Sequence, residues 1–209
     1  FELFGRKFTK LIQLNLLYCL FWVPTVAAEI AVYSLGLPRW LTFFTTLAGM
    51  LLVGPATAGM VKILISFTDE KPVFLTSDFM DGFKQNFRQA FGVAALDWCL
   101  YFVAATSFNF YSTQTDMGFF AALPIGIELF FMLTLVFANF YMMPMVVKLK
   151  LGFRSILKNA VLLSFAELGH NFITLLWAAL IVVPCVLFFP ITILAILPLA
   201  VSLTGFIIC

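Results

Sequence analysis

The sequence predicts an all-α protein, a polytopic membrane helix bundle of about six transmembrane helices. Two observations lead to this fold class. First, 63% of the 209 residues are hydrophobic and only 11% are charged, which is too little polar surface to cover a soluble globule of this size. Second, the apolar residues form long runs without the alternation of barrel strands, and lipid offers no partner to unpaired backbone groups, so each run is expected to be a helix.

Six runs reach the roughly 20 apolar residues that a membrane-spanning helix needs. No linker long enough to separate soluble domains interrupts them, so residues 1–209 are predicted to form a single transmembrane domain. In the second run Gly54 and Ala58 are four residues apart, as are Pro55 and Gly59, which allows a neighbouring helix to approach closely. The predicted spans cover about 11–35, 41–66, 90–111, 118–147, 169–189 and 190–209.

The basic residues predict the orientation, because Lys and Arg collect in cytoplasmic segments. All of the 12 Lys and Arg residues except Arg39 fall on one side of the predicted spans. We therefore expect both termini to face the cytoplasm. The first run also has the pattern of a cleavable signal peptide, with basic residues before it and small residues near Ala28, but we expect it to be retained as the first span.

Two amphipathic helices are predicted on the cytoplasmic side, and the first covers about 77–90. Lys84 and Arg88 accompany its apolar face, a pattern typical of a helix in the membrane interface whose cations meet anionic headgroups. Ser77 or Asp78 is expected to cap its first amides. The apolar face consists of three phenylalanines spaced four residues apart, namely Phe79, Phe83 and Phe87.

The second amphipathic helix is predicted at about 153–165, where Arg154 and Lys158 lie one turn apart. Together the two helices fit either a platform that binds a cytosolic or membrane partner or a simple anchor for short loops. They also resemble each other in context. Each follows a span with a proline near its inner end, Pro55 or Pro144, and precedes an Asn-Phe pair, so an internal repeat of a helical hairpin is an open alternative to chance likeness.

Residues that could carry catalysis are scarce. His170 is the only histidine, and neither a nucleophile elbow, an HExxH helix nor a phosphate-binding loop is present. The cysteines lie in four different predicted spans without metal-ligand spacing, so they are interpreted as small buried apolar residues: Cys19, Cys99, Cys185 and Cys209. We therefore expect no enzymatic activity, no catalytic or metal-binding residues and no cofactor.

Carboxylates inside the predicted spans are candidates for binding a polar solute, because an ionised group in lipid is costly unless it is paired or hydrated. Asp97 is followed by Trp98, and sugars are held by an aromatic face beside a carboxylate. Glu128 is the second candidate, in the outer part of its span, too far in depth from Asp97 to pair with it. The alternative is structural: Trp98 packs in the core, Glu128 pairs with neighbouring amides and Glu29 lies among headgroups.

Two blocks of sequence resemble a known family. They are LLVGPATAGMVKILISFTDEKPVFLTSDFMDGFKQNFRQAF, Leu51 to Phe91, and YMMPMVVKLKLGFRSILKNAVLLSF, Tyr141 to Phe165. Both are similar to the YesL-like family of bacterial integral membrane proteins, whose members are associated with carbohydrate uptake. The resemblance implies a multi-pass protein of the bacterial plasma membrane with no established activity.

The functional expectation combines this resemblance with the absence of a phosphate-binding loop, which means that the chain cannot itself power transport by ATP hydrolysis. We expect an accessory or regulatory membrane protein of a carbohydrate ABC import system, bound to the transporter's permease subunits through the cytoplasmic-side helices. The alternative is a small secondary transporter or channel for a polar solute such as a sugar, suggested by Asp97, Glu128 and the proline-interrupted spans. The lipid bilayer is the other expected partner, and no nucleic acid is expected.

Overall fold

A computed structural model describes residues 2–38, 40–113, 120, 122–149 and 151–187. Within these ranges the fold is all-helical and contains no strand, which confirms the predicted fold class. The helices, in chain order, are α1 (Glu2–Ser34), α2 (Trp40–Thr68), α3 (Leu75–Gln85), α4 (Phe87–Thr113), α5 (Ala122–Lys148), α6 (Phe153–Ala166) and α7 (Leu168–Leu187).

Four of these helices are long and apolar enough to cross a membrane, namely α1 from Phe8 onward, α2, α4 and α5. A fifth span results if α6 and α7 are taken together, although they are bent by 91°. The protein is therefore a multi-pass membrane protein. The predicted span 190–209 lies outside the described residues.

The predicted interfacial helix at 77–90 is wrong as a single helix. The chain leaves helical geometry at Asn86, with φ −106° and ψ 7°, so α3 ends at Gln85 and α4 begins at Phe87. The Asn86 side chain donates a 3.0 Å hydrogen bond to the Gly82 carbonyl oxygen, and such local side-chain bonds compete with the helical ladder. Phe87 therefore belongs to a membrane-spanning helix.

The start of α3 also differs from the expectation. The helix begins at Leu75, so Ser77 and Asp78 lie within its first turn instead of before it. Asp78 still satisfies an unpaired amide there, because its Oδ2 accepts a 2.8 Å hydrogen bond from the backbone N–H of Phe74.

α2 is the central helix and packs against α1, α3, α4 and α5. Its two sides face different clusters of buried residues. One cluster joins α2 to α1 and α3 and includes Leu14, Leu64 and Phe79. The other joins it to α4, α5 and α6 and includes Ala58 and Ile156. Both short helices, α3 and α6, therefore pack against the long helices.

Within the first cluster, α2 and α3 approach each other closely. A Cβ atom added at Gly59 of α2 would lie 2.7 Å from the carbonyl oxygen of Phe79, and one added at Gly82 of α3 would lie 2.9 Å from the Gly59 Cα. The two backbones therefore touch where each helix has a glycine. This agrees with the close approach expected at Gly59.

In two successive units, α2–α3–α4 and α5–α6–α7, a short helix lies between two longer helices. This order fits the predicted repeat of a helical hairpin, but the packing is unequal. α4 packs extensively on α2, whereas α7 turns sharply away from α6. Asn171 holds that corner: it donates to the Ser164 carbonyl and accepts from the Tyr141 hydroxyl of α5.

Candidate functional site at the inner ends of α4 and α5

Asp97 lies on α4 at the interface with α5, close to the level of Asn139. The Asn139 amide donates to the Tyr101 hydroxyl at 3.4 Å and to the Leu135 carbonyl at 3.2 Å, and it also interacts with the Asp97 carboxyl group. The Asp97 Oδ1 atom is buried and has no hydrogen-bond partner among the described residues. A small, incompletely satisfied polar cluster thus joins these two spans.

Trp98 and Asp97 interact with different helices. Its indole Nε1 donates a 3.3 Å hydrogen bond to the carbonyl oxygen of Phe43 on α2, and its ring lies 6.3 Å from that of Phe102. Asp97 instead faces Asn139 on α5. The aromatic face and the carboxylate expected to hold a sugar are therefore directed at different helices.

Glu128 is buried near the start of α5 and borders a mainly apolar groove of about 320 Å³. The amide partners expected for it are not found among the described residues. Asn139, which is level with Asp97, lies 11 residues further along α5 than Glu128, or about 16 Å at 1.5 Å per residue. The two carboxylates therefore do not form a pair, as the sequence indicates.

Glu29 has a structural role that the sequence did not reveal. Its Oε1 atom accepts hydrogen bonds from the hydroxyl groups of Thr45 and Thr46 on α2, at 2.5 and 2.6 Å. The Glu29 carboxylate therefore joins α1 to α2.

The phenylalanines of the first amphipathic segment pack against their own chain. Phe79 is 0% exposed in the cluster of α1, α2 and α3. The half-buried Phe83 stacks near Phe21 of α1, with ring centroids 5.4 Å apart, and Phe87 lies 5.7 Å from Phe83. The assignment of Phe79 to a lipid or partner interface is thus wrong: α3 folds back onto α2, and its apolar face is covered.

The cations at the α3–α4 corner and on α6, in contrast, are exposed. Within the described ranges the single ion pair joins Lys71 to Asp69, 2.8 Å apart, and the Lys71 ammonium lowers the pKa of the Asp69 carboxyl group. No ion pair is formed there by the four cations predicted to lie at an interface, Lys84, Arg88, Arg154 and Lys158.

Two of these cations border a groove, which we call the inner groove, between the α3–α4 corner and the α5–α6 corner. Its volume is about 830 Å³. Gln89 of α4 donates a 2.9 Å hydrogen bond to the Leu151 carbonyl oxygen and so ties the two corners together. The inner groove is lined by Lys84, Gln85, Asn86, Phe87, Arg88, Gln89, Val146, Val147, Leu151 and Gly152.

Lys84 and Arg88 can be identified from the sequence, but the inner groove cannot. The groove exists because Asn86 breaks the predicted helix and because Leu151 and Gly152 end the link after α5, which brings two distant corners together. Outside it, the described residues contain no group of three or more His, Cys, Asp or Glu side chains able to hold a metal ion. Cys19 and Cys99 are free and half-buried, whereas the other two cysteine side chains lie outside the described part.

Comparison with curated proteins and with solved structures finds no match to the chain. A family model described as "Protein of unknown function, DUF624" matches residues 11–108, which include α2, α3, the Asn86 corner and most of α4. The match confirms the family resemblance predicted from the sequence. The matched part of this membrane protein is thus similar to the uncharacterised DUF624 family, which is consistent with the resemblance to the YesL-like family.

Proposed function

We propose that the protein is an accessory or regulatory membrane protein of a carbohydrate ABC import system, and that it binds the transporter through its cytoplasmic-side helices. The observation that carries the proposal is the set of four exposed cations without ion pairs at the α3–α4 corner and on α6. Unpaired surface charge of one sign guides association with a surface of the opposite sign. The YesL-like resemblance supplies the carbohydrate context.

α6 offers the apolar part of such an interface. Arg154 and Lys158 share one face of α6, while Val161, Leu162 and Phe165 are exposed further along the helix. A partner bound here would contact charge and apolar surface together, as protein interfaces commonly do. Phe79 and its neighbours, which are covered by α1 and α2, take no part in this proposal.

The second candidate function is a carrier for a polar solute. The observation that favours it is the unpartnered Oδ1 atom of Asp97 between two membrane-spanning helices, since buried carboxylates often mark solute or proton pathways. Against it stands Trp98, which is engaged with α2 and does not complete a sugar site with Asp97. We therefore prefer the accessory role.

Neutralising the four cations to glutamine should abolish co-purification of the transporter from native membranes. If each exposed cation contributes about 0.5 kcal/mol, four contribute about 2 kcal/mol, or roughly 30-fold in Kd. The matched control is Lys71→Gln, a cation outside the proposed interface that is already paired with Asp69. Solute uptake by the purified chain alone in liposomes, lost on Asp97→Asn, would contradict the accessory role and favour the carrier.

The proposed interface requires that α3 and α6 face the cytoplasm of a bacterial plasma membrane, with both termini on that side. In a cysteine-free background, Ser155→Cys on α6 should react with a membrane-impermeant maleimide only after permeabilisation, whereas Ser112→Cys near the end of α4 should react in intact cells. Both positions are exposed and lie near opposite ends of the bundle. The reverse labelling pattern would refute this orientation.

A further inference from the structure

The inner groove has the composition of a site for an anion that also carries apolar groups. Lys84 and Arg88 border it, and neither forms an ion pair within the described ranges. The same groove is lined by Val146 and Val147 from the end of α5. Its volume of about 830 Å³ falls in the range of sites that hold small organic ligands. A ligand with a charged end and an apolar end therefore matches the lining.

Two helix N-termini border this groove as well. Asn86 immediately precedes α4 and Gly152 immediately precedes α6, and both residues line the groove. The first amides of a helix lack intrahelical acceptors and carry partial positive charge, which favours phosphate. No side chain caps α6 at Gly152, and the Asn86 amide is directed back to the Gly82 carbonyl. Two cationic side chains and two helix N-termini thus border the same groove.

The groove lies at the level where two membrane-spanning helices end. The candidate span of α4 begins at Phe87, and that of α5 ends at Lys148, next to Val147. Lipid headgroups lie at this boundary, so a ligand of the right chemistry is supplied by the bilayer itself. The hydrogen bond from Gln89 to Leu151 holds the two corners together, so the site is formed before a ligand arrives.

We propose that the inner groove binds the headgroup of an anionic phospholipid. Lys84 and Arg88 contact the phosphodiester oxygens, while Val146 and Val147 pack against the glycerol and the first carbons of an acyl chain. The proposal needs only protein and lipid and does not depend on a transporter partner. Arg154 and Lys158, which are not among the groove's lining residues, are not required for it.

Native mass spectrometry of the purified full chain, titrated with phosphatidylglycerol or phosphatidylcholine, tests the proposal. We expect selective retention of phosphatidylglycerol. Because a cation near the membrane surface contributes about fivefold in affinity, Lys84→Gln with Arg88→Gln should weaken binding about 25-fold. The charge-preserving pair Lys84→Arg with Arg88→Lys should keep most of the affinity, and Lys71→Gln should leave it unchanged. Equal thermal stability of all variants in phosphatidylcholine confirms that they fold.

Three outcomes would overturn the proposal. These are equal affinity for the two lipids, undiminished phosphatidylglycerol binding by the glutamine pair, and displacement of the lipid by millimolar inorganic phosphate, which would assign the groove to a soluble phosphoryl ligand. The variant Arg154→Gln with Lys158→Gln separates this result from the proposed function. It should weaken transporter binding about fivefold and leave phosphatidylglycerol binding unchanged, so either proposal can fail without the other.

Discussion

Replacing Phe79 by alanine is expected to destabilise the protein by about 3–5 kcal/mol, the usual cost of removing a fully buried phenylalanine ring. Phe79 is 0% exposed and lies in the cluster that joins α1, α2 and α3, with its ring 5.5 Å from that of Phe21. Loss of the ring leaves a cavity that the helices cannot fill, because Gly59 and Gly82 already bring α2 and α3 into backbone contact.

The matched control is Phe74→Ala, which removes the same side chain just before the same helix. Phe74 is 77% exposed, so we expect a change of less than about 0.5 kcal/mol. The free energy of unfolding of both variants can be measured by denaturant titration in mixed micelles. Equal effects at the two positions would mean that Phe79 contacts lipid or a partner, as its sequence pattern indicates, and not the interior of the bundle.

Phe79 also illustrates what could be predicted from the sequence. The apolar face of residues 77–90 follows from the spacing of its phenylalanines, and burial of that face follows from the free energy of removing rings from water. The identity of the covering surface does not follow, since lipid, a partner and another part of the chain are equally apolar. The glycines of α2 and α3 indicate that each helix can approach a neighbour closely. That Gly59 packs against Gly82 cannot be inferred from the sequence, because the two residues lie on different helices.

The break at Asn86 was missed for a related reason. The phenylalanine pattern continues through it to Phe87, so periodicity favours one helix, whereas a side-chain bond to Gly82 ends α3 there. Four of the predicted spans coincide with helices long and apolar enough to cross a membrane, because bilayer thickness sets the minimum length of such a run. Corners between a short helix and a span depend on single local bonds, and the inner groove is built from two such corners.

The polar residues within the spans show the same limit. The separation in depth between Asp97 and Glu128 follows from the rise per residue of a helix. The direction of each side chain around the helix axis does not follow, because several helices compete to cover an apolar surface. Trp98 therefore bonds to Phe43 on α2 while Asp97 faces Asn139 on α5, although the two residues are adjacent in the chain.

Adding one methyl group at Gly59 should destabilise the protein by about 1–3 kcal/mol, although alanine is the better helix former. The new Cβ atom would lie 2.7 Å from the Phe79 carbonyl oxygen, so relief requires α3 to move as a unit. Gly126→Ala in α5 is the control, because a Cβ atom there meets nothing within 4 Å and the change should be neutral or stabilising by up to about 1 kcal/mol.

A second variant shows whether the loss comes from the contact between α2 and α3. Gly82→Ala pushes the same two helices apart from the other side, because its Cβ atom would lie 2.9 Å from the Gly59 Cα. One shift of α3 relieves both clashes, so the double variant should lose less stability than the sum of the single losses. If the losses of stability add exactly, the two glycines do not interact, and the contact between α2 and α3 is contradicted. Because α3 carries Lys84, the same shift should also weaken phosphatidylglycerol binding without altering any charge.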